Sequence, residues 1–289
     1  MILDLNDLRI FVAVAEAGSI SRAAEQLNYV QSNVTARIKL MEERLGVTLF
    51  NRLRRGVSLS GSGKLLLDYA TRILALSCEA ERVLMEKDTP SGSLVIGSLE
   101  TAAAVRLPGI LAEYHQAFPQ VDLQVITGTT EELINHVIEY TVDAAFIAGE
   151  VEHSELVGVP VFQEELVLAT GNNSSIENDR KRTLIVFRRG CSYRAKFEGW
   201  LRDSGYIPYQ VMEFGTVDGI LGCVRAGMGM TVLPRAVFKD VSGLTFLPLP
   251  PQVAHVDTML VSRKDVVHTK AMTEFRKVVN KHSVERARS

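Results

Sequence analysis

Between positions 21 and 55 the chain concentrates side chains that offer hydrogen bonds: Ser21, Arg22, Gln31, Ser32, Thr35, Arg37, Lys39, Arg52, Arg54 and Arg55. A glutamine amide pairs a donor with an acceptor as the major-groove edge of adenine requires, an arginine fork matches guanine, and serine and threonine hydroxyls suit bases or phosphates. Any surface helix carries some of these types, so spacing and charge decide. Positions 20 to 64 hold eight basic side chains against three acidic ones, a local net charge of +5. The whole chain of 289 residues carries −2, which leaves −7 for the remainder. One segment is therefore built to meet a polyanion, double-stranded DNA, with Arg52, Arg54 and Arg55 able to neutralise phosphates flanking the bases.

The elements that must position these residues follow from periodicity. Leu5, Leu8, Val12 and Ala15 recur at helical spacing before Gly18, which predicts a helix over 4–17. A short second helix has Ser19 or Ser21 as its N-cap and Ala23, Ala24 and Leu27 as its apolar side. In the third, Val34, Ile38, Met41 and Leu45 form the buried stripe and Gly46 is the stop. Gln31, Ser32 and Thr35 stand near its start on another face, the layout in which a recognition helix enters the major groove. The run VTLFNRLRRGVSLS alternates apolar and polar residues about an Arg-Arg-Gly turn, as a two-stranded wing does. Over 62–87, Leu66, Tyr69, Ile73, Leu76, Ala80 and Val83 repeat at coiled-coil spacing. One helix cannot bury such a seam alone, so pairing with a second copy is expected, with packing on its own domain as the alternative.

The stretch DTPSGS, Asp88 to Ser93, marks a domain boundary. Beyond it SLVIGS, a helix through Tyr114, VDLQVIT, a helix through Tyr140 and DAAFIAG alternate as a parallel α/β sheet does. EELVLAT, TLIVF, VMEF and GMTVLP, with helices through Trp200 and over Ile220 to Ala226, predict a second lobe. A last helix over 268–282, after VDTMLVS, returns to one of the two. The expected domains are 1–61, 62–89 and 90–289.

Enzymatic readings find no support. There is no G-x-S-x-G elbow, phosphate-binding loop or H-E-x-x-H, and the six histidines and Cys78, Cys191 and Cys223 lack ligand spacing. Gly227 and Gly229 precede a strand rather than a helix and suit a turn. No catalysis, cofactor or metal is expected. Asp4 and Asp7 stand where an export signal would be basic, and no apolar run reaches membrane-spanning length, so a cytoplasmic location without membrane contact is expected. A solute-binding protein whose N-terminal segment serves assembly is the rival reading, which the want of an export signal disfavours.

Leu8 to Phe11, Gly18-Ser19, Arg22-Ala23-Ala24, Leu27, Gln31-Ser32, Val34-Thr35, Ile38, Met41-Glu42, Leu45-Gly46, Leu49-Phe50, Arg52, Arg55, Leu59 and Gly63 together resemble the LysR-type transcriptional regulators. Val30 stands where a Ser or Thr is common in that family and cannot cap the helix. LPG after Arg106, FPQVDL at Phe118, LIN at Leu133, DAAFIAG and VRAGMGMTVLP at Val224 extend the likeness along the chain. The resemblance implies an α+β multidomain fold: an N-terminal winged helix-turn-helix, a long linker helix, and a C-terminal two-lobed α/β domain like the periplasmic binding proteins. It also implies sequence-specific DNA binding in transcription regulation, control by a small-molecule effector held between the lobes, a homodimer that assembles into a homotetramer, and contact with RNA polymerase.

Effector sites of that family lie at strand ends and helix N-termini, which here are Ser98, Glu100, Thr101, Thr127, Thr129, Ala148, Cys191, Ser192, Tyr193, Arg194, Phe214 and Thr216. Ser98, Thr101 and Thr129 would equally serve as helix caps. Glu100 suits an ammonium group or a nearby arginine, and Arg194 a ligand carboxylate or a structural ion pair. Together they suggest an amino-acid-like or amine effector. Cys191 reads as a buried apolar side chain, with redox sensing as the alternative.

Overall fold

Asp4 accepts a hydrogen bond from the backbone N–H of Asp7 at 2.8 Å and so starts the first helix, α1 (Leu5–Ala17). The computed structural model describes residues 3–85, 88–171, 183–205 and 210–287, and the chain divides into two units, Met1–Met85 and Glu86–Ser289. In the first unit Ser19, not Ser21, caps α2 (Ile20–Gln26), and α3 (Gln31–Leu45) follows from an uncapped Val30 to Gly46. The wing consists of β1 (Phe50–Arg52) antiparallel to β2 (Val57–Leu59), and Ser60 caps α4 (Gly61–Leu84). Leu8, Phe11, Val14, Val34, Ile38, Met41 and Leu49 form the core. Leu5, expected in the buried stripe, is 45% exposed, because the first turn of α1 precedes the residues that α3 and α4 cover. The wing is held against the α1–α2 turn: the N–H of Val57 donates to the carbonyl of Gly18 at 3.0 Å.

The second unit begins with β3 (Gly92–Ser98), α5 (Glu100–Val105), α6 (Leu107–Ala117), β4 (Val121–Thr127), α7 (Thr130–Ile138) and β5 (Ala144–Ala148). β3 lies between β4 and β5 and is parallel to both. Tyr140, expected within the second helix, lies beyond its end at φ 58°. β6 (Leu156–Gly171) is long enough to serve both lobes. Its first part pairs antiparallel with β11 (His255–Arg263), which pairs in turn with β5. Its second part pairs antiparallel with β9 (Met230–Pro234) and β10 (Leu244–Pro248). β7 (Thr183–Phe187) joins β9 and is parallel to β8 (Gln210–Phe214) at the far edge. The three strands expected to be parallel from strand–helix alternation, β3, β4 and β5, are so, and the sheet continues on one side through β11, antiparallel to β5, to β6, antiparallel to β11.

Helices α8 (Ser192–Asp203) and α9 (Val217–Arg225) cover the second lobe, with α10 (Pro251–Ala254) a single short turn before β11. The final helix, α11 (Lys270–Ala287), returns to the first lobe, where Phe275 meets Tyr114 edge-on at 5.3 Å. The C-terminal ends of β3 and β4 open toward β7 and α8, the usual place for a ligand in an open α/β sheet.

Candidate functional site

On α3, Val34, Ile38 and Met41 are buried, and this turns Gln31, Ser32, Asn33, Ala36 and Lys39 to solvent. Val30 supplies no side-chain cap, so no side chain occupies the first-turn N–H groups where a phosphate oxygen would sit. Asn33 was not anticipated from the sequence, although its amide follows Ser32 directly within the same exposed turn. The Thr35 hydroxyl donates to the Gln31 carbonyl at 2.9 Å and orders that turn. Arg37, with 39% of its side chain exposed, also ties α3 to α1: its guanidinium donates to Asp7 at 2.8 Å and lies 3.8 Å from Asp4. The bond to Asp7 holds the guanidinium pKa above its ordinary value. Lys39 is exposed 3.6 Å from Glu43, Ser21 is exposed, and Arg22 donates to the Ala17 carbonyl. Arg52, Arg54 and Arg55 are exposed on the wing.

In the second unit a small cleft of about 40 Å³ opens between the lobes. Leu99, Glu100 and Thr101 line it from the end of β3, Thr127, Gly128 and Thr129 from the end of β4, and Phe187, Arg188, Cys191, Tyr193 and Gly215 from the second lobe. Six of the expected residues are thus brought together: Glu100, Thr101, Thr127, Thr129, Cys191 and Tyr193. Thr129 is also a cap. Its hydroxyl accepts from the N–H of Glu132 at 3.3 Å, and Glu132 accepts from the N–H of Thr129 at 2.9 Å, which holds the Glu132 carboxyl below its usual pKa. Tyr193 is buried with its hydroxyl toward Thr101 and Thr258, and burial raises the phenol pKa and keeps it neutral. Burial likewise pushes the Cys191 thiol up, which works against the thiolate that redox sensing requires.

The other six expected residues stand outside this lining. Ser98 is buried below it, with its hydroxyl donating to the Leu99 carbonyl at 3.0 Å. Ala148 ends β5, Phe214 ends β8, and Thr216 caps α9 by accepting from the Gly219 N–H at 3.3 Å. Ser192 lines a neighbouring groove with Thr130 and Glu131. Arg194 is the structural ion pair of the two alternatives: it is bonded to Glu198 and Glu213 at 2.7 Å each and to the Phe187 carbonyl at 3.0 Å. Only 8% of its side chain is exposed. The arginine that lines the cleft is instead Arg188; nothing local to the RRG run distinguishes it from its neighbour Arg189.

Residues 5–64 match the family model described as bacterial regulatory helix-turn-helix protein, lysR family, and residues 87–283 match the LysR substrate binding domain. The chain belongs to the LysR family. It is 41% identical over 290 residues to the HTH-type transcriptional regulator SoxR of Arthrobacter sp. (strain TE1826), covering 99% of each chain. To the regulator GltR of Bacillus subtilis (strain 168) it is 41% identical over 280 residues, covering 94% of this chain and 95% of the relative. Among solved structures, the LysR regulator CbnR in complex with its target DNA superposes with a TM-score of 0.69 at 23% identity, over 97% of this chain and 100% of that one.

This LysR protein is a DNA-binding transcriptional regulator with an effector-binding domain, and the relatives named above are transcriptional regulators. Among the described residues no group of His, Cys, Asp or Glu could hold a metal, and no helix is long and apolar enough to cross a membrane.

Proposed function

We propose that this regulator reads its operator through Gln31, Ser32 and Asn33 of α3, with Arg52, Arg54 and Arg55 on flanking phosphates and Arg37 as the strut that orients α3. The domains work as 1–61 for DNA, 62–89 for dimerisation and 90–289 for the effector. Tyr69, Ile73 and Leu76 are 56%, 41% and 53% exposed on α4, an apolar stripe that a second copy covers. Dimers pair into a homotetramer that works in the cytoplasm and contacts RNA polymerase.

The effector is a small amino-acid-like molecule or amine. One observation carries this reading: a carboxylate, Glu100, and a guanidinium, Arg188, line the same cleft together with the Thr101, Thr127 and Thr129 hydroxyls. Such a set fits an ammonium at one end and a carboxylate at the other. Ligand that binds one angle between the lobes better than another shifts their equilibrium and so the placement of the DNA-binding pairs. A thermal-shift screen of amino acids, amines and carboxylates tests it. A ligand present at a hundred times its Kd adds about 2.7 kcal/mol, and the Glu100→Gln variant loses that shift. Retention of the full shift by that variant contradicts the assignment of Glu100.

A further inference from the structure

Arg188 does two things at once. It lines the cleft from the second lobe, and its Nη2 reaches Glu132 on α7 of the first lobe at 3.1 Å. Two residues on, the Gly190 carbonyl accepts from the N–H of Glu131 at 3.3 Å. Gly190 has φ +90°, and a side chain there would fall 2.8 Å from the Thr129 hydroxyl, so the loop bears directly on the first turn of α7. The segment from Arg188 to Gly190 is therefore a strap from one lobe to the other along the wall of the cleft.

The ion pair in this strap is made to be exchanged. The Arg188 and Glu132 side chains are 56% and 44% exposed, and one N–H of the guanidinium makes the contact, leaving its other N–H groups without a hydrogen bond among the described residues. Glu132 keeps a second partner, the Thr129 N–H, so it stays satisfied when Arg188 leaves. Arg194, at the start of α8 near this wall, is committed to two carboxylates and a carbonyl.

We propose that Arg188 is the carboxylate anchor of the cleft and that Glu132 holds this anchor in the ligand-free domain, strapping the lobes until an effector carboxylate takes it over. The proposal rests on the reading of the cleft as the effector site and adds which group binds, which competes, and what the exchange releases. A ligand carboxylate can take the guanidinium with two parallel N–H bonds where Glu132 takes one. Removing the competitor then tightens carboxylate binding, and removing the anchor abolishes it.

The test uses the full-length chain and variants Glu132→Gln, which keeps an oxygen for the Thr129 N–H, and Arg188→Met. The probes are the twenty amino acids, each beside its carboxamide and its decarboxylated amine, with Kd measured by calorimetry. The expected result is an amino acid that binds where its amide does not, with a Kd about threefold to tenfold lower in Glu132→Gln, the range that one half-exposed ion pair allows, and at least about tenfold higher in Arg188→Met. Arg188→Met without ligand, or saturating amino acid in the wild type, should speed hydrogen exchange at the Glu131 amide relative to the ligand-free wild type. Binding of amines or amides alone, abolished by Glu100→Gln, overturns the strap and leaves the cleft reading standing. An amino acid bound equally by all three chains, or exchange at Glu131 that neither change moves, overturns the strap as well. Silence of every probe overturns both.

Discussion

The guanidinium of Arg37 on α3 and the carboxylate of Asp7 on α1 meet at 2.8 Å, with Asp7 only 3% exposed. A recognition helix must be held at one angle to place its side chains, and this pair fixes that angle across the core. Arg37→Met leaves a buried carboxylate with Arg44 at 4.0 Å as its remaining cation, a worse outcome than Asp7→Asn, which removes the charge itself. Arg37→Met is expected to lower Tm more than Asp7→Asn. The double variant should fall short of the summed losses by a double-mutant cycle in thermal unfolding. Additive losses would show the two residues acting independently.

Base readers and phosphate neutralisers should separate by salt. Gln31→Ala and Asn33→Ala are expected to weaken specific operator binding about tenfold to a hundredfold and to leave nonspecific binding nearly unchanged. Arg54→Ala should weaken both and reduce the slope of log K against log salt by about 1. Fluorescence anisotropy at several salt concentrations with specific and scrambled duplexes measures both quantities.

The wing depends on Gly56, whose φ is +85° and whose Cβ would lie 2.3 Å from the Gly18 carbonyl oxygen. Backbone on both sides must move to admit a side chain. Gly56→Ala is expected to cost more than about 1 kcal/mol and to displace Arg54 and Arg55. Loss of nonspecific DNA affinity beyond that of Arg54→Ala in the same anisotropy assay checks it.

The exposed stripe on α4 predicts that Ile73→Asp or Leu76→Asp yields a monomer by sedimentation, with α-helical content unchanged by circular dichroism. Replacing Cys78, exposed on the same helix but outside the seam, by Ser should leave the dimer intact.

Acid should release the strap. The Thr129 N–H, with Arg188 beside it, holds the Glu132 carboxyl below its ordinary value near 4.5. Its contribution is then complete above about pH 4.5 and is lost as pH falls through the lower folded value. Because the pair is half-exposed, the effect is under about 1 kcal/mol. The Tm difference between the wild type and Glu132→Gln should shrink between pH 5 and pH 3, and a constant difference would remove Glu132 from this role.

Local rules made the DNA-binding head legible. Gly18, Gly46 and the stripe through Val34, Ile38 and Met41 act within one turn of chain, so periodicity places them. What Arg37 does depends on Asp7, thirty residues earlier, and no local pattern distinguishes an arginine facing DNA from one facing a neighbouring helix. The same limit applies to the cleft. Glu100, Thr101 and Thr129 stand at strand and helix ends that alternation reveals, whereas the contrast between Arg188 and Arg194 rests on Glu132, Glu198 and Glu213 in three different elements. EELVLAT in the second half of β6 and VDTMLVS in β11 are legible as strands, whereas the first half of β6, which pairs with β11, is not, because that antiparallel pairing is a property of the sheet and not of either segment.

The most direct test of the central claim is selection of DNA fragments by the purified full-length chain, followed by anisotropy on the recovered sequence. A discrete sequence should be recovered, bound far more tightly than scrambled DNA, with the difference lost in the Gln31→Ala, Asn33→Ala double variant. Failure to retain any fragment even at low salt, or a preference untouched by those two substitutions, would contradict it.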